Sequence, residues 1–328
     1  MSTGLGDSGQ TKNGLLGIPL PRIRRILERS QGRVDLHVDT GDGWRPVTEN
    51  SPVPADFVIP PVFTAEFELA RYEMLGLADG TAVLPVCPAS FRDFMLFEEH
   101  AVAAARGMAR RFAPGGHRLS RIYETLTRRT FPAFRPSALW YREPIYYMSN
   151  ALTIVPSGVP VEFPSYSRAL DFELELGVVL NAPLRDATVE QAAAAIGAVV
   201  VVNDFSARDV QLAEMRSGFG PQRAKHFLSS MSTTAVAGSA VGDRLDTLTA
   251  TVSVNGETLA YTGTHGMRYS IPEALAHVSR SEQLYPGELL ATGTLPGGSG
   301  MELGRWLAPG DELRLEIDGI GVIEHRIR

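Results

Sequence analysis

Apolar and polar positions alternate through Leu170-Asp171-Phe172-Glu173-Leu174-Glu175-Leu176. That period of two predicts a β-strand with apolar side chains on one face and three carboxylates on the other. Residues 199–202 are an unbroken run of valines that stops at Asn203-Asp204, the pattern of a strand buried on both faces, with polar groups placed at its end. Just before it, Thr188-Val189-Glu190-Gln191 has the form of a capping box and opens a short helix through the alanines. Residues 251–261 fold back at Asn255-Gly256, the strongest short hairpin signal in the chain. Residues 288–292 and 312–317 add strands, with Asp318-Gly319 turning into Val322.

Toward the N-terminus, Val34-Asp35-Leu36-His37-Val38 alternates and turns through Asp42-Gly43 before Trp44, which predicts another hairpin. It opens a small module that ends near Leu84-Pro85-Val86-Cys87-Pro88. Residues 98–112 are Ala-rich with no breaker but Gly107, which predicts a helix. Residues 113–144 carry Gly, Pro and many arginines without sustained periodicity, which predicts a long functional loop containing some helix. The fold class is therefore α+β and β-rich: a disordered polar tail over 1–14, a small N-terminal β domain over 15–85, and a main domain over 86–328.

Composition narrows the function. The 328 residues are 44% hydrophobic and 21% charged with a net charge of −6, which gives no general electrostatic reason to bind nucleic acid or a membrane surface. The longest apolar run, residues 192–202, is too short to span a bilayer. The polar first fourteen residues lack a signal-peptide core. A single cysteine, Cys87, excludes an intrachain disulfide and fits a reducing, cytoplasmic compartment; it reads as a small buried apolar side chain rather than a nucleophile.

The acidic face of 170–176 raises the first chemical question. Carboxylates on one side of a strand stand roughly 6.5–7 Å apart, and in a partly dry setting they repel unless one is protonated or a cation lies between them. Oxygen ligands favour Mg²⁺, Mn²⁺ or Ca²⁺ over zinc. The alternative is the wet face of an antiparallel sheet. Further acids stand elsewhere: Asp93 in Phe91-Arg92-Asp93-Phe94, ahead of the helix that carries His100, and Asp204 in Asn203-Asp204-Phe205-Ser206-Ala207-Arg208-Asp209, followed by Gln211.

These motifs, in this order, resemble the fumarylacetoacetate hydrolase family over residues 85–328. The resemblance implies a mixed β-sandwich roll and a homodimer. It implies that Asp93, Glu173, Glu175 and Asp204 hold Mg²⁺, or Ca²⁺ or Mn²⁺, with Asp171 as a supporting acid. It implies His100 as general base, Glu302 in Gly300-Met301-Glu302-Leu303 orienting it, and Lys225 as a further catalytic group. Arg208, Gln211, Tyr147 and Thr294 match residues around the substrate. Each has a plainer alternative: His100 as a surface helix residue beside Glu98 and Glu99, Glu302 as the cap of a turn, Lys225-His226 as an exposed basic pair. His37, His117, His265, His277 and His325 show no paired spacing and read as structural or solvent-facing.

The chain departs from the family pattern at Met95, where a tyrosine is usual, and in Phe227-Leu228-Ser229-Ser230-Met231-Ser232, which has less glycine and threonine. Both departures point away from fumarylacetoacetate as substrate. Three readings remain open. One is a metal-dependent hydrolase cleaving a carbon–carbon bond in a β-diketone or acylpyruvate-type oxo-carboxylate. Another is a decarboxylase, hydratase or tautomerase of a related oxo-acid, and the last a non-catalytic metal-stabilised binding protein. Finally, residues 106–142 hold nine arginines against Glu124 alone. That excess predicts either a solvated or subunit-pairing basic surface, or a lid in which Arg106 and Arg110 grip a substrate carboxylate.

Overall fold

The computed structural model describes residues 20–48 and 53–328; the expected tail over 1–14 lies outside them. The valine run lies in the strand Ile196–Asn203, and its two faces meet two different cores. Val199 and Val201 join Leu174, Leu176 and Val178 against a second sheet, where Val252, Leu315 and Ile323 complete the cluster. Ala198, Val200 and Val202 point the other way, onto Ile23, Leu27, Phe57 and Tyr72. A strand covered on both sides has no polar face to show, which is why its sequence does not alternate.

Among the described residues twelve strands form one sheet. Its centre runs Thr234–Ala237, Ile196–Asn203, Leu174–Leu180, Leu289–Ala291, Phe91–Phe94 and Tyr146–Ser149. Pairing is antiparallel except where Phe91–Phe94 meets Leu289–Ala291 and where Ile154–Pro156 meets Ser229–Met231. A four-stranded antiparallel sheet, Glu257–Gly263, Thr249–Val254, Glu312–Ile317 and Gly321–Arg326, packs over one face. The result is an α+β, β-rich sandwich, as the pattern predicts. Asn255 and Gly256 take φ of 54° and 77° in the expected hairpin, the helix spans Glu98–Phe112, and Thr188 caps Val189–Ala194 in a complete capping box.

The strand Arg22–Glu28 pairs along its length with Arg33–Asp39 and also with Thr234–Ala237, so the segment expected as a small N-terminal domain, 15–85, shares the main sheet from its first described strand. The long stretch expected over 113–144 as a loop with some helix contains the 14-residue helix Pro114–Thr127. Pro114 was misleading as a breaker, because proline at the first helical position costs no hydrogen bond. No helix among the described residues is long and apolar enough to cross a membrane.

Candidate functional site

The acids of the alternating segment face inward. Asp171, Glu173 and Glu175 are 0%, 5% and 1% exposed, so the wet-sheet alternative does not hold and their charge must be met inside the protein. Register brings further acids to the same place. Asp93 stands opposite Tyr147 in the pairing of Phe91–Phe94 with Tyr146–Ser149, and Asp204 directly follows the end of Ile196–Asn203. Asn203 Oδ1 accepts from the Glu173 backbone N–H at 2.9 Å, and Asp204 N–H donates to the Glu173 carbonyl at 3.1 Å, which locks the two segments together.

Two buried cations answer part of that charge. Arg208 donates through Nε to Asp171 Oδ2 at 2.8 Å and through Nη2 to Glu173 Oε1 at 2.7 Å. Lys225 Nζ bonds Glu173 Oε2 and stands 2.7 Å from Asp204 Oδ2. Burial would raise the Glu173 pKa, but Arg208 and Lys225 outweigh it and hold this carboxyl well below the usual range. Burial would likewise lower the Lys225 pKa, yet Asp204 and Glu173 raise it above the usual lysine value. Asp171 is thus a supporting acid that fixes Arg208, and it also accepts from Met301 N–H at 3.1 Å. Gln211 Oε1 accepts from Arg208 Nη1 at 2.9 Å, and Gln211 lines the cavity described below.

The remaining acids lack such partners. Asp93 Oδ1 and Glu175 Oε2 are buried without a hydrogen bond. Burial first, then repulsion from Asp204 for Asp93 and from Asp93 for Glu175, pushes both well above the usual carboxylate range. Tyr147 Oη reaches Asp93 Oδ2 at 2.8 Å and also Asp204 Oδ2. One phenolic proton serves one acceptor at a time, so the carboxyl pair must share a proton or meet a further cation. Ser229 Oγ donates to Asp204 Oδ1 at 2.9 Å; the sequence marked Ser229 only as part of an altered segment, and a hydroxyl inside a buried strand is the signal that identifies it.

An all-carboxylate donor set with orphaned oxygens suits a hard divalent cation. Among the described residues, however, no three His, Cys, Asp or Glu side chains already stand as a ligating group. Lys225 accounts for this, because its ammonium occupies the position between Glu173 and Asp204. The site fits such an ion in charge and donor type, with Asp93 and Glu175 carrying the unused oxygens.

His100 is buried, not on the surface. Its Nδ1 lies 3.0 Å from Glu302 Oε2, close enough for a hydrogen bond though not aligned for one. Glu302 also caps its own helix. It accepts from Ser299 Oγ at 2.7 Å and from Gly297 N–H at 3.0 Å, so the capping alternative is realised by the same side chain that stands beside His100.

A cavity of about 380 Å³ opens on this cluster, lined by Asp93, Glu173, Glu175, His100, Arg208, Gln211, Lys225, Tyr147 and Thr294 together with a large apolar wall. Arg106 and Arg110 are absent from it. Arg106 Nη2 donates to Glu124 at 2.9 Å, and Arg110 Nη2 donates to the Met301 carbonyl at 3.0 Å. The structure therefore does not bring these two arginines to the site; the single acid of their stretch takes one, and a helix end takes the other.

The family model described as fumarylacetoacetate (FAA) hydrolase C-terminal matches residues 126–328. The chain belongs to the fumarylacetoacetate hydrolase family and is an enzyme, which removes the non-catalytic reading. The mitochondrial oxaloacetate tautomerase FAHD1 of Rattus norvegicus is 33% identical over 180 residues, covering 54% of this chain and 78% of that protein. Fumarylacetoacetate hydrolase from psychrophilic Exiguobacterium antarcticum superposes with a TM-score of 0.64 at 21% identity, covering 94% of this chain and 99% of its own. Fumarylpyruvate hydrolase from Pseudomonas aeruginosa, in complex with Mn²⁺ and pyruvate, gives 0.54 at 21% identity, covering 74% of this chain and 97% of its own. At such identity the two structures establish the shared fold. Asp93 and His100 precede the matched family segment, and the fold alone carries them into the site.

Proposed function

We propose that the protein is a divalent-metal-dependent hydrolase that cleaves a carbon–carbon bond in an acylpyruvate-type oxo-acid. The observation that carries this reading is the His100–Glu302 pair at 3.0 Å beside a buried carboxylate cluster. Asp93, Glu173, Glu175 and Asp204 would hold Mg²⁺, or Ca²⁺ or Mn²⁺. Bound there, the ion supplies Lewis-acid polarisation of a carbonyl oxygen. The Mn²⁺ and pyruvate of the Pseudomonas aeruginosa protein support both the ion and the substrate class.

The chain's own groups do the rest. With Nδ1 beside Glu302 Oε2 at 3.0 Å, His100 offers Nε2 as the base that takes a proton from water. The water oxygen adds to the acyl carbonyl carbon, the bond to the neighbouring methylene carbon breaks, and that carbon takes its pair and receives the proton back from His100. A carboxylic acid and pyruvate result. Arg208, Lys225 and the Gln211 amide orient the substrate carboxylate and oppose charge developing on oxygen, while the apolar wall keeps bulk water out.

A second reading, tautomerisation, rests on the oxaloacetate tautomerase relatives, since the same base can move a proton between carbon and oxygen without water. Incubation with acetylpyruvate and Mg²⁺, following pyruvate release, separates the two from a parallel measurement of the enol-to-keto decay of oxaloacetate. Pyruvate release abolished by a chelator is the expected result. Enol decay without pyruvate release would favour the tautomerase, and neither activity with Mg²⁺ or Mn²⁺ would sink both.

A further inference from the structure

The cavity is polar at the acid cluster and apolar along the helix faces that lead away from it. On the helix Glu98–Phe112 the cavity side carries His100, then Ala104, Ala105 and Met108. At ~1.5 Å per residue the last of these lies about 12 Å along the axis from His100. The helix Arg208–Ser217 repeats the arrangement independently: Arg208 and Gln211 come first, then Leu212 and Met215 on the same face, the last about 10 Å along the axis from Arg208. Met95 and Met215 remain 37% and 53% exposed, adaptable apolar surface open at the cavity. Among the described residues, the lysine and arginine side chains in the wall are Arg208 and Lys225, and both stand at the acid cluster beside Asp171, Glu173 and Asp204, where they serve the carboxylate of the pyruvyl end and leave the far wall without a cation. Arg106 and Arg110, the cations within reach by sequence, are tied to Glu124 and to the Met301 carbonyl.

We infer that the substrate is a monocarboxylate whose acyl group is a long or aromatic hydrocarbon tail, laid between the cavity faces of these two helices, and not a dicarboxylate. The inference rests on the acylpyruvate reading and specifies its acyl half. A tail bearing a second carboxylate would place that charge against alanine, leucine and methionine with no cation to meet it. A hydrocarbon tail removes the same surfaces from water with favourable free energy. The cavity volume of about 380 Å³ falls within the roughly 300–1000 Å³ of sites that enclose whole small molecules.

The test uses the full chain with Mg²⁺ and a series of acylpyruvates bearing acetyl, hexanoyl, octanoyl and benzoyl groups, with succinylpyruvate as the dicarboxylate. Both kcat/KM and the calorimetric Kd are recorded. Each methylene that enters the wall should improve the constants by up to roughly fourfold, and succinylpyruvate should trail hexanoylpyruvate by about a hundredfold or more. Met215→Lys, at a half-exposed helix position, should narrow that gap by roughly threefold to tenfold. Turnover that is independent of chain length, or best with succinylpyruvate, overturns the inference while leaving the hydrolase reading intact. If no acylpyruvate is turned over, the hydrolase reading fails and the Kd series decides: tighter binding with longer tails supports the apolar channel, and flat or absent binding overturns it.

Discussion

Glu175 carries a buried carboxylate oxygen with no partner, and its neighbours Asp93 and Glu173 add like charge. A glutamine there keeps the shape and loses the repulsion. Without divalent ion, Glu175→Gln should therefore be more stable than the wild type by about 1–3 kcal/mol, while its affinity for Mg²⁺ falls and turnover is lost. Thermal melts with and without chelator measure this; a variant that melts lower in chelator and binds Mg²⁺ normally would contradict the proposed ligand set. His100→Ala should slow turnover by roughly 10²–10⁴-fold with Mg²⁺ binding nearly unchanged by titration. Glu302→Gln separates the two duties of that residue, because glutamine also serves in a capping box. It should keep the melting temperature near that of the wild type and lower kcat by less than His100→Ala does. At this scale the sequence made the carboxylates legible through their alternation. It could not reveal that Arg208 bridges Asp171 and Glu173, since nothing local joins residues so far apart.

The helix Glu98–Phe112 is set by its approach to the short helix Gly300–Leu303. A Cβ at Gly107 would lie 2.3 Å from the Met301 carbonyl oxygen, so glycine permits the contact that brings His100 to Glu302. On propensity alone Gly107→Ala should add up to about 1 kcal/mol of stability. The expected outcome is the reverse: a lower melting temperature and a lower kcat as the two helices part. A more stable Gly107→Ala with wild-type kcat would show that the approach has slack. Elements with local causes were legible, among them the hairpin at Asn255-Gly256 and the box at Thr188. The helix Pro114–Thr127 was not, because Pro114, Gly115 and Gly116 resemble loop punctuation, although proline suits a helix start. The arginine excess was legible as charge and misleading as chemistry. Arg106 is answered within its own stretch by Glu124.

Across the whole molecule, His325 is a buried ring that donates from Nδ1 to the Val159 carbonyl at 2.7 Å. Burial pulls its pKa down to about 4 against an ordinary 6.5, the backbone bond opposing only in part. The unfolded chain thus binds the proton first, so this group's contribution is complete above pH 6.5 and is lost as pH falls toward 4. Each unit in that window removes at most about 1.4 kcal/mol. The stability difference between wild type and His325→Phe should shrink across the same window in urea titrations; a constant difference would place the ring's proton elsewhere. Deleting residues 20–85 should leave no folded remainder, because Thr234–Ala237 loses its neighbour Arg22–Glu28 and Ala198, Val200 and Val202 lose their cover. A cooperative melt of 86–328 within about 5 °C of the full chain would show an independent domain after all. The sequence suggested that boundary because proline clusters near residue 85 interrupt the pattern, whereas strand pairing between distant segments leaves no local mark. That pairing also bears on how the protein is made. Arg22 meets Val236, about two hundred residues later, so during synthesis an early hairpin must wait with an open edge until most of the chain has left the ribosome. Contacts so far apart make closure slow, and the waiting edge is where nascent chains would stick to one another.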